Sequence, residues 1–239
     1  MLSFMTWRAL RAVVTMSLVL VIAFLTVRLS GEPFEAMFPQ GITAEAEAAL
    51  RSKWQLDLPL HEQFLIYLGK ILSGDFGRSL FTNERVWEIY AVRMPATLSV
   101  GALALVLAIA LGIPLGAVSA LRRGAASERI AMGAAFLGYA VPHFVLGIGL
   151  ILLFGYHWRV LPTSGLDTGA HYILPVLTLA VPMIAGIARF MRAAMLDAVS
   201  QPFVLTAASK GVTSGRIARA HVLRTALVPL ITVLGLEVA

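Results

Sequence analysis

Two short stretches of the sequence resemble parts of catalytic motifs, and neither is complete. His61 and Glu62 begin a pattern typical of zinc proteases, in which a second histidine follows the first by four residues and shares the metal. Leu65 occupies the place of that second histidine. Gly69 and Lys70 are followed by an isoleucine instead of the serine or threonine of a phosphate-binding loop. The sequence therefore predicts neither a metalloprotease site nor an ATP-hydrolysing site in this chain.

The other residues with reactive or metal-binding side chains are isolated. The chain has no cysteine, which excludes disulfides, thiolate metal sites and thiol nucleophiles. Four further histidines lack partners at the i, i+4 spacing of a helical metal site: His143, His157, His171 and His221. A nickel site built from these histidines is a weak alternative, and we predict no bound metal. For His143, a hydrogen bond to a neighbouring helix is favoured over a place in a pathway.

A polar and basic segment from Pro202 to Pro229 lies between two apolar ones and is the strongest candidate for a functional site. Proline is favoured at the first position of a helix, so Pro202 predicts the start of a short helix, and Gly211 predicts its left-handed end. Thr213 or Ser214 is expected to cap a second helix, which would run through Arg224 to a break at Pro229. Small residues on and after the first helix, Ala207, Ala208 and Gly211, would let another protein approach closely. The segment thus predicts a helix-turn-helix that docks a partner.

The composition places the elements that carry this segment in a membrane. Of the 239 residues, 59% are hydrophobic and 13% are charged, and the mean hydropathy is +0.84, which is too apolar for a soluble domain of this size. Near-continuous apolar runs predict helical spans rather than a barrel. The net charge of +6 is explained by membrane topology, and we expect no nucleic-acid partner. The predicted fold class is an all-α polytopic membrane protein in the lipid bilayer.

The apolar runs predict about five transmembrane helices. We expect spans near residues 12–27, 98–120, 130–154 and 171–190, and a fifth from Thr225 onward. The last apolar run is little more than half as long as the hydrocarbon core requires, so the fifth helix is expected to be incomplete and a sixth to be missing. The predicted domains are the first transmembrane helix with its N-terminus (1–28), an extramembranous helical subdomain (29–97) and the transmembrane core (98–239).

A row of small residues and five prolines lie within these spans. Ala108, Gly112 and Gly116 recur every four residues, which suits close packing of two membrane helices. The prolines are expected to break their helices inside the membrane, either at a pathway or as packing kinks: Pro114, Pro142, Pro175, Pro182 and Pro229. The candidates for helix packing or for the pathway are Gly112, Pro114, Gly116, Pro142, His143, Pro182 and Pro229.

The distribution of basic residues predicts the orientation. Of the 19 Lys and Arg residues, those of the N-terminus, of residues 122–129 and of residues 189–224 fall on one side of the predicted spans. Only Glu128 and Asp197 oppose them there. Because positive residues accumulate on the cytoplasmic side, the N-terminus and the 196–224 loop are expected in the cytoplasm, and residues 29–97 outside.

Several runs of residues resemble the motifs of one transporter family. The run Leu205–Gly211, with His221, Arg224 and Pro229 downstream, is similar to a cytoplasmic loop called EAA, although Leu205 and Thr206 stand in place of its first two letters. Further matches occur in order along nearly the whole chain: Gly74–Ser79, Pro95–Leu98, Gly112–Gly116, Leu161–Pro162 and Arg192–Leu196. Together they resemble the permease subunits of binding-protein-dependent ABC importers, in the oligopeptide, dipeptide and nickel branch.

The resemblance implies a role for the segment and a set of partners. The loop at residues 196–224 would couple the permease to ATPases through Phe203, Leu205, Thr206, Ala207, Ala208, Lys210, Gly211, Arg216, His221 and Arg224. The implied partners are a second, homologous permease, two ATP-binding-cassette subunits and an extracytoplasmic solute-binding protein. No cofactor would be bound by this chain, since ATP and magnesium would sit on the ATPases. The implied location is the bacterial cytoplasmic (inner) membrane.

These observations leave four hypotheses about the function. Import of di- or oligopeptides is the main one, and import of nickel is its rival within the branch. An autonomous channel or secondary carrier is a different class, but such carriers usually place charged residues at the membrane midplane, and the three middle spans have none firmly inside. A non-transporting scaffold would use the same docking loop without any solute flux.

Overall fold

The computed structural model describes residues 2–31, 34, 37–38, 40–79, 81–165 and 167–238. These residues form helices, and the only β-type pairing among them is an isolated antiparallel bridge between Arg78 and Arg85. The helices are α1 Leu2–Leu29, α2 Ala44–Lys53, α3 Leu60–Leu72, α4 Val86–Leu121, α5 Ala126–Ala140, α6 His143–Leu150, α7 Gly169–Val199, α8 Pro202–Ser209, α9 Ser214–Arg216 and α10 Leu223–Val238. The predicted all-α class is confirmed.

Two π-helical stretches extend the α-helices. Ile151–His157 continues α6, and Ile217–Val222 joins α9 to α10. The stretch from residue 214 to residue 238 is therefore one continuous helix, called here the long helix. A helix begins at Ser214 as predicted, but the predicted break at Pro229 is wrong, because the same helix continues to Val238.

Four helices are long and apolar enough to cross a membrane, or five if one bent pair counts as a span. Most of them exceed the predicted limits. The first candidate span is Ser3–Leu29, and α7 continues to Val199. α4 is a single helix from Val86 to Leu121, so the predicted boundary at residue 97 falls inside a helix. Each helix is longer than its apolar run because its backbone hydrogen bonds continue into the polar residues on either side of that run.

Contacts divide the chain into two compact units, Met1–Val92 and Arg93–Ala239. In the first unit, Phe24 of α1 meets the rings of Phe64 and Tyr67 on α3 at centroid distances of 5.3 and 5.7 Å. Thr43 caps the start of α2, since its hydroxyl accepts from the backbone N–H of Ala46. The ring contacts of Phe24 with Phe64 and Tyr67 stabilise the packing of α1 on α3.

In the second unit, α4 and α7 run in the same direction. The Ser99 and Tyr172 hydroxyl oxygens lie 3.5 Å apart near one end of the unit, while Gly116 packs against Ala188 farther along both helices. α5 runs opposite to α7, since Glu128 at its start binds Arg192. The turn after α4 and the turn after α7 consequently lie at the same end of this unit.

The prolines do not all break helices as predicted. Of the five prolines in the prediction, only Pro142 separates two helices, and there α5 and the His143–His157 segment meet with a bend of 100°. Val141 before it is extended, as a residue before proline prefers. The other four prolines of the prediction lie inside α4, α7 and α10. Membrane helices tolerate proline because neighbouring groups can satisfy the freed carbonyls.

Candidate functional site

α8 begins and ends at the residues that the sequence singled out. Pro202 is its first residue, where a missing backbone N–H costs no hydrogen bond. Gly211 has a φ of +78° and donates its N–H to Ala208 at 2.9 Å, and Val212 donates to Ala207 at 3.2 Å. This pair of bonds is a Schellman motif, which fixes the point at which the chain leaves the helix.

The two faces of α8 have different surroundings. Phe203, Val204 and Ala207 pack against the buried core of their own chain, which includes Ile217 and Val222 of the long helix. On the other face Leu205 is 74% exposed, and Thr206, Ala208, Ser209 and Lys210 are also exposed. The exposed face thus presents the large apolar side chain of Leu205 and the small one of Ala208, while the opposite face of the helix packs against the core.

Ala207, one of the residues expected to meet a partner, is half-buried on the inner face of α8. The small size of this residue was expected to serve a partner, yet its contacts are with the core of the same chain. Leu205 and Ala208 are the apolar residues of α8 that face away from that core. Gly211 has open space where a side chain would stand, so its left-handed backbone is the reason for glycine there.

The long helix connects the docking segment to the membrane core. Ile217, Val222, Ala226 and Leu230 are buried along one side of it, in the same core as Met191 and Met195 of α7. Arg216, Arg219, His221 and Arg224 are exposed. The long helix thus runs without a break from the end of the docking segment into the apolar core.

A groove separates the end of α7 from the long helix. Its volume is about 680 Å³, and most of its lining is apolar. Asp197 of α7 and Arg224 of the long helix are its charged lining residues, and Pro229 lies on the same wall. Pro229 is exposed. Its role in a pathway stays a prediction.

The remaining candidates lie apart from α8. Gly112 and Gly116 are buried where α4 meets Ile187, Ala188 and Met191 of α7. Pro142 and His143 are exposed at the bend, Pro114 is exposed on α4, and Pro182 is buried in α7. Within the described part of the chain, the histidines join no group of three or more side chains that could hold a metal. His171 instead closes the start of α7, accepting from the Thr168 N–H at 3.1 Å.

One functional candidate was missed from the sequence. Glu128 was counted only as an acid opposing many arginines, yet it is buried and binds Arg192 and the Gly124 backbone. A lone acid among basic residues at the end of a membrane helix is the signal that could have indicated it, because a buried charge needs a partner.

Comparisons with known proteins agree with this architecture. Residues 112–239 match the family model described as the inner membrane component of binding-protein-dependent transport systems, and residues 1–101 match its N-terminal companion. The dipeptide transport system permease protein of Escherichia coli is 34% identical, in a match that covers 87% of this chain and 71% of the relative.

Two further relatives match almost the entire chain. The oligopeptide permease protein of Haemophilus influenzae is 35% identical over 98% of this chain and 78% of its own length. The glutathione permease protein of Salmonella choleraesuis is 35% identical over 99% of this chain and 78% of its own length. The chain therefore belongs to the family of inner membrane components of binding-protein-dependent transport systems, the permeases of ABC importers that its motifs resemble.

Proposed function

We propose that this chain is the permease subunit of an importer for di- or oligopeptides, driven by ATP that separate subunits hydrolyse. Peptides are favoured over nickel because the relatives described above are named for dipeptides, oligopeptides and glutathione. Two ATPase subunits would bind the ATP and magnesium, a homologous permease would complete the pathway, and a solute-binding protein would deliver the peptide from outside.

The observation that carries the proposal is the two-sided setting of α8. One face is anchored in the core of the chain, and the other exposes Leu205, with Ala208 beside it. An exposed leucine on an anchored helix is suited to a pocket of a partner, since its burial contributes about 1.5–3 kcal/mol. The exposed basic residues around it are consistent with a cytoplasmic position.

The mechanism follows from the connections of α8. When two ATPase subunits close on ATP, α8 would move with them as a rigid body. Its anchored face rests on the long helix, so the displacement would reach the apolar core of the permease and switch the access of the peptide from outside to inside. The N-terminus would lie on the same cytoplasmic side, and residues 29–97 would face the binding protein.

Co-purification tests the docking. Leu205→Asp places a charge on the exposed face of α8, and we expect about a tenfold or greater loss of co-purified ATPase at equal permease yield, the size expected from losing one buried leucine. Leu72→Asp is the matched control, because Leu72 is 78% exposed and belongs to the segment placed outside. Equal ATPase recovery from both variants would remove α8 from the docking surface. Transport by the purified chain in liposomes without ATP would establish an autonomous carrier instead.

A further inference from the structure

Glu128 holds three N–H groups from two other segments. Its Oε2 accepts from the backbone N–H of Gly124 at 2.8 Å. Its Oε1 accepts from Arg192 Nε at 2.8 Å and from the Nη2 group of the same guanidinium. Glu128 is 7% exposed and is the only acidic side chain buried among the described residues. We call the set of Glu128, Gly124 and Arg192 the Glu128 clamp.

The clamp joins the turn after α4, the start of α5 and the last third of α7. Apolar contacts also join these helices: Gly112 and Gly116 of α4 meet Ile187, Ala188 and Met191 of α7, and Gly138 of α5 meets Val181 and Ala185 of α7. The clamp adds charge-assisted bonds, which hold their geometry better than apolar contacts because both partners are directional. The ends of α4, α5 and α7 are thereby fixed to one another.

The clamp connects α7, which leads to α8, with α5, the first helix of the bent pair. α7 ends at Val199 and α8 begins at Pro202, so α7 is the direct covalent neighbour of the docking helix. α5, on the other side of the clamp, leads to the 100° bend at Pro142. Nearer the bend, the contacts of Gly138 on α5 with α7 are apolar, to Val181 and Ala185, whereas the clamp supplies an ionic bond between the two helices.

We propose that Glu128 and Arg192 are positioning residues that make α5 move with α7, so that displacement of α8 reaches the bend at Pro142. The proposal rests on the proposed function, since it assumes that α8 is the element that the ATPases move. Loss of the clamp then uncouples the two activities of the assembled transporter. ATP is still hydrolysed, but less solute crosses the membrane for each ATP.

The test measures solute transported per ATP hydrolysed, in liposomes containing the complete transporter with its native partners and a dipeptide as solute. For Arg192→Ala we expect this ratio to fall about 3- to 30-fold, the range over which single residues modulate coupling between sites. Arg129→Ala is the matched control, because it removes an exposed positive charge next to Glu128 and should keep the wild-type ratio. A merely structural role would lower the amount of active transporter and leave the ratio unchanged.

Glu128→Gln is the second variant, in case Arg192→Ala does not fold. It keeps the side-chain volume and an acceptor for the Gly124 N–H but removes the ionic bond to Arg192, and the ratio should again fall. A wild-type ratio in Glu128→Gln, whether or not transport and hydrolysis decline together, overturns the proposal. Failure of the docking proposal would be visible separately, as normal ATPase recovery with Leu205→Asp.

Discussion

Gly116 of α4 approaches Ala188 of α7 so closely that a β-carbon on the glycine would stand 2.4 Å from the Ala188 carbonyl oxygen. The same β-carbon would stand 2.8 Å from Cβ of Met191. Backbone and Cβ atoms cannot rotate away as a long side chain can. The backbones of the two helices are therefore in contact. Close packing of this kind drives the association of membrane helices, because surrounding hydrocarbon provides no hydrophobic force between them.

Gly116→Ala should destabilise the permease. The added methyl group must push α7 away, and overpacking of this kind costs about 1–3 kcal/mol. Thermal unfolding of the purified protein in detergent measures the effect as a lowered Tm. Gly133→Ala on α5 is the control, since nothing lies within 4 Å of its β-carbon position and alanine is the better helix former. Equal Tm values for the two variants would contradict the close contact.

The two adjacent alanines of α8 should respond differently to the same substitution. Ala207→Glu puts a carboxylate against the apolar core of the chain, so we expect less folded permease in the membrane. Ala208→Glu adds the charge on the exposed face, so the permease should fold normally and lose ATPase binding. Quantitative immunoblotting of the membrane fraction, followed by co-purification, separates the two effects. Similar membrane levels with both variants would show that α8 is not seated as described.

The limits of α8 could be predicted because they depend on local chemistry. Proline fixes the backbone at Pro202, and Gly211 takes a left-handed conformation that other residues avoid. Four of the five spans could also be located, since their signal is apolar length alone, whereas the span predicted over residues 130–154 is a pair of helices bent by 100°. The family resemblance rested on runs of residues in the correct order, and the family comparisons confirm it.

The rest of the site depends on tertiary contacts. Pro182 and Pro229 were predicted to break their helices, but each helix continues through its proline. Membrane helices tolerate proline because neighbouring groups can satisfy the freed carbonyls. The contacts of Ala207 could not be inferred from its size, since a small residue suits a partner and a core equally well. Glu128 and Arg192 are 64 residues apart in the sequence, and no local pattern connects them.

Gly211→Ala should weaken docking by disturbing the end of α8. The φ of +78° is unfavourable for alanine, at a cost of about 1–2 kcal/mol. Gly211→Asn is the matched control, since asparagine accepts this conformation more readily. Co-purified ATPase should decrease for alanine and much less for asparagine, at equal permease levels. If both variants bind ATPase as the wild type does, the left-handed turn is not required for docking.

The orientation can be tested by thiol labelling, because the chain has no cysteine of its own. Ser3→Cys, Thr82→Cys and Thr213→Cys each introduce one thiol at an exposed position. The excess of basic residues predicts that Ser3→Cys and Thr213→Cys face the cytoplasm and that Thr82→Cys faces outward. A membrane-impermeant maleimide applied to intact spheroplasts should label only Thr82→Cys, and permeabilised cells should allow labelling of all three. Labelling of Thr213→Cys in intact spheroplasts would place α8 outside the cell, where no ATP-driven subunit could reach it.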